Sequence, residues 1–215
     1  AAPQVGILRR VVVIDVGEAK STIVEDMNDL QEQTGIPFLH IDAKLVSMDE
    51  TYTMLGDLLD MTDEARTLAD YCRSTYDKAT AIAAGAEKAN LLYITGETGL
   101  NVIARGSYHA GVIDLLSNNL AVVDEPSSKG TGNEVDMEQI LNWDPDVIIF
   151  APDTIYDTVA TDTAWQQLSA ISGGNYYKTP YGPYGWLSSP PSVQRYLGML
   201  WLGALLYLDY CEYDL

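Results

Sequence analysis

Positively charged side chains are scarce in this chain of 215 residues, which has 12 Lys and Arg against 31 Asp and Glu and a formal net charge of −19. A protein that binds nucleic acid needs a basic face to neutralise phosphates. Attachment to an anionic membrane through a surface patch needs the same feature. The composition therefore argues against nucleic acid and against an anionic lipid surface as partners.

Cysteine and histidine are also rare. Cys72 and Cys211 are too few for a disulfide scaffold and lack the spacing of a zinc or iron–sulfur site, so they either pair or remain thiols. His40 and His109 are far apart in the sequence, and a transition-metal site built by the protein alone is not expected. Ser107 with His109 does not form a serine-hydrolase motif, because a histidine occupies the position of the second glycine.

Long apolar runs and terminal signals are missing too. The longest apolar run, Leu197 to Leu208, is about half of the roughly 20 residues that cross a bilayer. The chain begins Ala1-Ala2-Pro3 without methionine or a signal-peptide core, which indicates a mature chain or an excised piece. Hydrophobic residues nevertheless make up 47%, enough for a core, and the 14 Tyr against 2 Phe suit a wet cleft.

The hydrophobic pattern predicts an α/β fold. Val11–Val16 (VVVIDV) is expected to be a buried strand, followed by a helix over 19–33 and a parallel strand over 36–41. Helices are predicted over 50–59 and from Thr62 to about Ala84. Beyond Gly85 the predicted strands are 91–95, 120–123, 146–150 and 175–178, and the predicted helices are 107–117, 136–141, 162–168 and 192–208. This alternation indicates a mostly parallel, Rossmann-like sheet.

Several residues are candidates for binding. Ser107 is predicted to cap a helix beside Arg105, an arrangement that suits an anionic group. Aromatic residues crowd the Gly- and Pro-rich segment that includes Tyr184 and Trp186, either as a pocket wall or as a cover for the core. Arg195 opposes the dipole of the last helix and must meet an acidic partner, solvent or ligand. The turn over 96–99 has no nucleotide-binding fingerprint.

Motifs in a fixed order resemble the C-terminal lobe of periplasmic-type substrate-binding proteins of ABC importers. They are the strand 91–95, Gly106-Ser107, VDMEQILNWDPDVII at 135–149, WQQLSAI at 165–171, NYYKTP at 175–180 and WLSSPPSVQRYLG at 186–198. The matching group transports iron–siderophores, haem, cobalamin and some oxyanions. Val13–Gly17, Thr34–Pro37 and the long helix resemble the end of the family's N-terminal lobe, of which only one β-α-β unit is present.

The resemblance implies three regions and an extracytoplasmic, periplasmic or lipid-anchored, solute-binding role. The regions are a partial N-terminal lobe at 1–48, connecting helices at 49–87 and a C-terminal α/β lobe at 88–215. The implied ligand is an iron complex such as a siderophore or haem, or a related oxyanion, captured between the lobes and delivered to ABC permease subunits. The chain would perform no chemistry and hold no intrinsic cofactor, since any iron or other metal comes with the ligand. Any lipid anchor would lie outside this segment.

The same resemblance assigns residues to roles. Glu138 stands where the family places a glutamate that pairs with permease arginines. The implied ligand contacts are Arg105, Ser107, Tyr108, Tyr156, Tyr184, Trp186 and Arg195, with Asp15 to Glu18 contributing from the N-terminal side. Two alternatives remain open: an α/β enzyme with a cleft at the strand ends, and a non-transporting interaction module of the same fold.

Overall fold

The computed structural model describes residues 11–188 and 193–213. The chain forms two compact units: the first ends at Tyr71 and the second begins at Cys72. Each unit has a sheet of its own. None of the helices in the described ranges is long and apolar enough to cross a bilayer.

The first unit is built on the β-α-β arrangement expected from the sequence. Strands β1 (Val13–Gly17) and β2 (Phe38–Asp42) pair in parallel, from Val13 opposite Phe38 to Gly17 opposite Asp42. Helix α1 (Ile23–Thr34) connects them and ends at Gly35, whose φ of 67° lies in the left-handed region that glycine tolerates. A 3₁₀ turn (Leu45–Ser47) and helix α2 (Met48–Leu59) follow.

The prediction that the valine-rich strand is buried is wrong. Val13 is 36% exposed and Val16 is 44% exposed, and no residue of α1 is buried. The physical reason is the size of the sheet, because two strands and one partly covering helix leave one sheet face uncovered. Apolar, β-branched composition shows that a strand forms, but it does not show what covers the strand.

The second unit begins within helix α3 (Thr62–Gly85), a helix that the sequence predicts from Thr62 to about Ala84. Its strands are β3 (Asn90–Thr95), β4 (Asn101–Val102), β5 (Asn118–Asn119), β6 (Asn133–Glu134), β7 (Val147–Phe150) and β8 (Tyr176–Lys178). The strand order is β6-β4-β3-β7-β8, and β5 pairs with the start of β3. Strands β3, β5, β7 and β8 are parallel, whereas β4 and β6 add antiparallel pairs. The expectation of a mostly parallel α/β sheet is therefore confirmed.

The core of the second unit lies around its central strands. Ile94 on β3 and Phe150 on β7 are 0% exposed, and the ring of Trp165 lies 5.6 Å from that of Phe150. Helices α4 (Gly111–Leu116), α5 (Met137–Trp143), α6 (Ser169–Ser172) and α7 (Arg195–Tyr207) complete the unit. The Tyr207 hydroxyl accepts a hydrogen bond from the Ala89 amide at 2.9 Å and so joins α7 to the segment that precedes β3.

Three local predictions in this unit need correction. The strand expected over 120–123 is replaced by β5, which lies earlier in the chain. The range 162–168, expected to be a helix, contains only the 3₁₀ turn Trp165–Gln167, and a separate 3₁₀ turn (Val159–Thr161) precedes it. Ser107 does not cap a helix, because a 3₁₀ turn (Tyr108–Ala110) precedes α4 and no capping hydrogen bond forms. The start predicted for the last helix, Ser192, lies outside the described residues. Such short elements depend on tertiary contacts more than on periodicity.

Helix α5 has the N-cap that the sequence predicts, since Asp136 Oδ1 accepts the Gln139 amide at 2.7 Å. We expect Asp136→Ala to lower the free energy of unfolding by about 1 kcal/mol. Asp136→Asn keeps a capping oxygen and should cost at most a few tenths of a kcal/mol. Urea denaturation of the three proteins measures the difference, and equal losses in both variants would show that the cap is unimportant.

Candidate functional site

The candidate site lies at one edge of the second unit's sheet. The parallel strands β3, β7 and β8 end at the same side, and the segments that follow them begin at Gly96, Ala151 and Thr179. We call this side the carboxyl edge. In open α/β sheets, ligands bind outside the carboxyl ends of the strands. The polar side chains collected at this edge are therefore the first candidates for ligand contact.

A chain of buried polar contacts runs from β3 into the loops. The Ser188 hydroxyl lies 3.4 Å from the Tyr93 hydroxyl, and both residues are at most 1% exposed. The Ser188 carbonyl lies 3.2 Å from His109 Nδ1, and the other ring nitrogen lies 3.2 Å from the carbonyl of Ser128. His109 thus links the segment before β6 with the segment after β8.

Tyr108 and Arg195 form the next contact in this chain. The guanidinium carbon lies 4.6 Å from the centre of the tyrosine ring, a cation–π arrangement. Arg195 Nη2 donates to the Tyr108 hydroxyl at 3.0 Å, and Nη1 donates to the Tyr108 carbonyl at 3.4 Å. Arg195 is only 1% exposed, and no carboxylate of the described residues pairs with it. The sequence predicts that Arg195 meets an acidic partner, solvent or ligand. Within the described ranges its guanidinium contacts neither solvent nor an acidic side chain.

Arg105 is held differently. The residue as a whole is exposed, but its guanidinium donates to Asn118 Oδ1 at 2.7 Å and to the Asn119 carbonyl at 2.8 Å. Asp114 reinforces the same turn by accepting the Gly106 amide at 2.7 Å. These contacts tie Arg105 to β5, so it supports the turn that carries Ser107 and Tyr108.

Two hydroxyl groups near the carboxyl edge are buried without a hydrogen-bond partner among the described residues. They are Ser107 Oγ, one residue before Tyr108, and Thr179 Oγ1, one residue after β8. Buried hydroxyls are normally paired, because leaving one unpaired costs free energy. Ser107 Oγ is therefore available to a group that the described residues do not supply, whereas the Thr179 hydroxyl lies close enough to Tyr93 to lower the pKa of its phenol.

The segment Tyr181–Trp186, which we call the aromatic loop, follows β8 and is held by hydrogen bonds within the loop. The Gly182 amide donates to the Tyr184 carbonyl at 3.0 Å, and the Trp186 indole donates to the Gly182 carbonyl at 3.3 Å. Tyr181 is 66% exposed and Tyr184 is 49% exposed, whereas Trp186 is half-buried. The loop therefore presents two tyrosine rings to solvent on a hydrogen-bonded frame. This geometry favours the pocket-wall interpretation for Tyr184, while Trp186 also covers the loop itself.

The remaining candidates lie elsewhere. Tyr156 is half-buried and packs edge-on against Phe150, with the Lys178 ammonium 5.6 Å from its ring centre. Glu138 is exposed in the first turn of α5. In the first unit, Asp15 and Glu18 are exposed, and Asp15 Oδ2 lies 2.8 Å from His40 Nδ1. The structure thus brings Tyr108 and Arg195 into contact and leaves Glu138 on a separate helix.

Sequence reasoning missed the roles of His109, Tyr93 and Thr179. The sequence presents His109 as a candidate partner for a nucleophile or a metal, whereas its observed contacts join residues 19 and 79 positions away. Tyr93 did carry a signal, since it is a tyrosine inside the apolar strand LLYIT, where a buried hydroxyl needs a polar neighbour.

No three His, Cys, Asp or Glu side chains of the described ranges could hold a metal ion together. Cys72 and Cys211 are thiols.

Burial raises the pKa of the Tyr93 phenol above its ordinary value, with the hydroxyls of Ser188 and Thr179 acting in the opposite sense. The folded protein favours the neutral phenol, so the contribution of Tyr93 to the free energy of unfolding is constant below about pH 10. Above that pH the contribution is lost, because Tyr93 ionises first in the unfolded chain. We expect the free energy of unfolding to fall by about 1.4 kcal/mol per pH unit above roughly pH 10 for this group. Denaturation of Tyr93→Phe at pH 9 to 11.5 should show a shallower decline than the parent, and an identical decline would contradict the assignment.

Comparison with known proteins places this geometry in context. The sequence profile described as "Periplasmic binding protein" matches residues 12–181. No curated protein sequence is significantly similar to the chain. An ABC transporter solute binding protein from Sulfurospirillum deleyianum has a similar structure, with a TM-score of 0.85 and 26% identity over 94% of this chain and 64% of that one.

Two further structures are similar. A periplasmic solute binding protein from Veillonella parvula has a TM-score of 0.69 and 28% identity over 93% of this chain and 61% of its own. The Staphylococcus aureus protein IsdE, solved in complex with heme, has a TM-score of 0.62 and 22% identity over 88% of this chain and 76% of its own, which shows a shared fold. The chain thus spans less than two thirds of the length of the first two relatives.

Proposed function

We propose that this chain, which belongs to the periplasmic binding protein family, is the solute-binding part of an extracytoplasmic component of an ABC importer. The observation that carries the proposal is the carboxyl edge of the second unit, where Tyr184 is exposed on a bonded loop and Tyr108 stacks with Arg195. Exposed aromatic rings with few polar anchors are typical of small-molecule sites. In this function the chain binds and releases its ligand and carries out no reaction.

The ligand that we propose is an iron complex, such as a siderophore or haem, or a related oxyanion. Tyrosine rings provide flat apolar surface for a macrocycle or a catecholate, and their hydroxyls provide hydrogen bonds. Heme in the IsdE complex is a precedent within the fold. Any metal belongs to the ligand rather than to the protein.

The residues proposed for ligand contact differ in their roles. Tyr184, Trp186 and Tyr108 contact the ligand directly, and Arg195 supplies positive charge. Arg105 supports the turn that carries Ser107, because its guanidinium is already bonded to Asn118 and Asn119. Tyr156, with its ring packed on Phe150, lies at the margin of the site. The segment from Asp15 to Glu18 in the first unit is a further candidate.

Glu138 is proposed to pair with an arginine of the permease. It is exposed, and its place in the first turn of α5 suits a negative charge near the helix N-terminus. None of the described cations pairs with it. The carboxylate is therefore available to a basic partner.

Isothermal titration calorimetry tests the function directly. The purified chain would be titrated with ferric catecholate and hydroxamate siderophores, ferric citrate, haemin, cobalamin and molybdate. We expect saturable binding of one of these classes at one site per chain. Failure of all of them to bind, in this chain and in a longer version that completes the family's N-terminal lobe, would favour a non-transporting interaction module instead.

A further inference from the structure

Arg195 is a buried cation for which the described chain provides no counter-charge. The side chain is 1% exposed, although the protein contains 31 acidic residues. From Gly106 to the end of the chain there are only two other Lys or Arg residues, Lys129 and Lys178. Lys129 is exposed, and the Lys178 ammonium lies 3.5 Å from Asp157 Oδ2. Arg195 alone among the three is buried without a carboxylate within the described ranges.

A buried guanidinium without a negative partner is unfavourable, because burial removes the hydration of the charge and no counter-charge replaces it. The ring of Tyr108 and its two oxygens offset part of this loss. They leave Arg195 Nε without a hydrogen-bond partner among the described residues. Three of the five N–H donors of the guanidinium are therefore not used by Tyr108.

The surroundings of Arg195 add to the positive potential. Arg195 is the first residue of α7, a helix of 13 residues, so the partial positive charge of that helix end adds to its own charge. The ring of His109 lies 5.9 Å from that of Tyr108, so the imidazole borders the same contact. The unpaired hydroxyl of Ser107 lies one residue before Tyr108.

We propose that the guanidinium of Arg195, positioned by Tyr108 at the start of α7, is a subsite for an anionic oxygen group of the transported ligand. The group is a carboxylate or an oxyanion, either of which can accept two N–H donors from one guanidinium. Ser107, one residue before Tyr108 and with its hydroxyl unpaired among the described residues, is a second candidate donor to such an oxygen. The subsite deepens the proposed function, on which it rests, because it makes the ligand anionic at this point.

The subsite also accounts for an energetic cost that the unliganded protein bears. If an anion neutralises Arg195 only in the bound state, the charge destabilises the unliganded chain and favours the liganded one. A purely structural arginine would show the reverse, since its removal would unpack Tyr108 and weaken the unliganded chain. The two roles therefore predict opposite effects for one substitution.

The test compares the parent protein with Arg195→Gln and with Lys129→Gln, which removes one positive charge from an exposed site. Thermal unfolding is followed alone and with sodium molybdate, ferric citrate or the cationic complex ferrioxamine, at equal ionic strength. In the parent, molybdate or ferric citrate should raise the unfolding temperature, and calorimetry should give a dissociation constant. Molybdate binding identifies a free oxyanion as the source of the group, whereas ferric citrate binding identifies a carboxylate of an iron complex.

In Arg195→Gln we expect at least a 30-fold weaker anion affinity, with an unliganded unfolding temperature equal to or above that of the parent. Lys129→Gln should bind as the parent does. Parent-like anion binding by Arg195→Gln would overturn the subsite, as would an anion-insensitive parent protein. If Arg195→Gln does not fold, Arg195→Lys decides, because lysine keeps the charge but lacks the planar fork. A folded Arg195→Lys protein with at least tenfold weaker anion affinity supports the subsite. Any other result with that variant favours a structural role, and the subsite fails.

Failure of the subsite and failure of the proposed function are distinguishable. A parent protein that binds ferrioxamine or cobalamin but neither anion keeps its solute-binding function and loses the subsite. A protein that binds none of the ligands loses both.

Discussion

Gly198→Ala is expected to destabilise the second unit by about 3 kcal/mol and to weaken ligand binding at the same time, because overpacking against backbone has few ways to relax. A Cβ at position 198 would collide with the Trp186 carbonyl oxygen and would lie 2.9 Å from the carbonyl carbon. The obstacle is main chain, so helix α7 and the end of the aromatic loop must separate for the methyl group to fit. The aromatic loop carries Tyr184, and its displacement should therefore reduce affinity.

Gly85→Ala is the matched control for this prediction. At that position an added Cβ meets only the ring of Tyr210, at 3.3 Å, and that ring is 53% exposed and can move. We expect a change in the free energy of unfolding within about 1 kcal/mol. Guanidinium denaturation of both variants gives the comparison, and a Gly198→Ala protein as stable as Gly85→Ala would show that the aromatic loop does not need its close contact with α7.

Glu138→Lys is expected to lower ligand uptake through the cognate permease at least tenfold while leaving ligand affinity unchanged. The substitution replaces an attraction with a like-charge contact at the proposed permease arginine, and juxtaposed like charges at an interface cost several kcal/mol. Glu134→Lys makes the same charge change at an exposed position on β6. Uptake into proteoliposomes with the partner permease and ATPase measures both variants.

Equal uptake with Glu138→Lys and Glu134→Lys would remove Glu138 from the docking surface. A fall in both variants would instead indicate a general effect of the acidic surface on association, and it should weaken with added salt. Ligand affinity, measured in the same preparations, separates docking from binding.

The sequence was sufficient for the elements whose pattern is long or chemically distinctive. Helix α3 and strands β3 and β7 follow from apolar periodicity, and the N-cap of α5 follows from Asp136. The two-residue strands β4 and β6 could not be predicted in this way. Each is defined by its neighbour across the sheet, and two residues show no period.

The sequence was sufficient to name candidate residues for the site, but it did not show which side chains those residues contact. Arg105 and Arg195 looked equivalent in the sequence, since each is a cation near a predicted helix start. The structure separates them because Asn118 and Asn119 bond Arg105, whereas Arg195 lies against Tyr108, 87 residues away in the chain. The partners of a charged side chain depend on such long-range contacts, which local patterns do not contain.

The central claim is that the ligand binds at the carboxyl edge of the second unit, against the aromatic loop. A fluorescence or calorimetric titration of Tyr184→Ala, beside Tyr210→Ala as a control for an exposed tyrosine of the same unit, tests it most directly. The account predicts that the ligand identified for the parent binds Tyr184→Ala about tenfold more weakly, the equivalent of about 1.4 kcal/mol, and binds Tyr210→Ala unchanged. Parent-like affinity in Tyr184→Ala would contradict it.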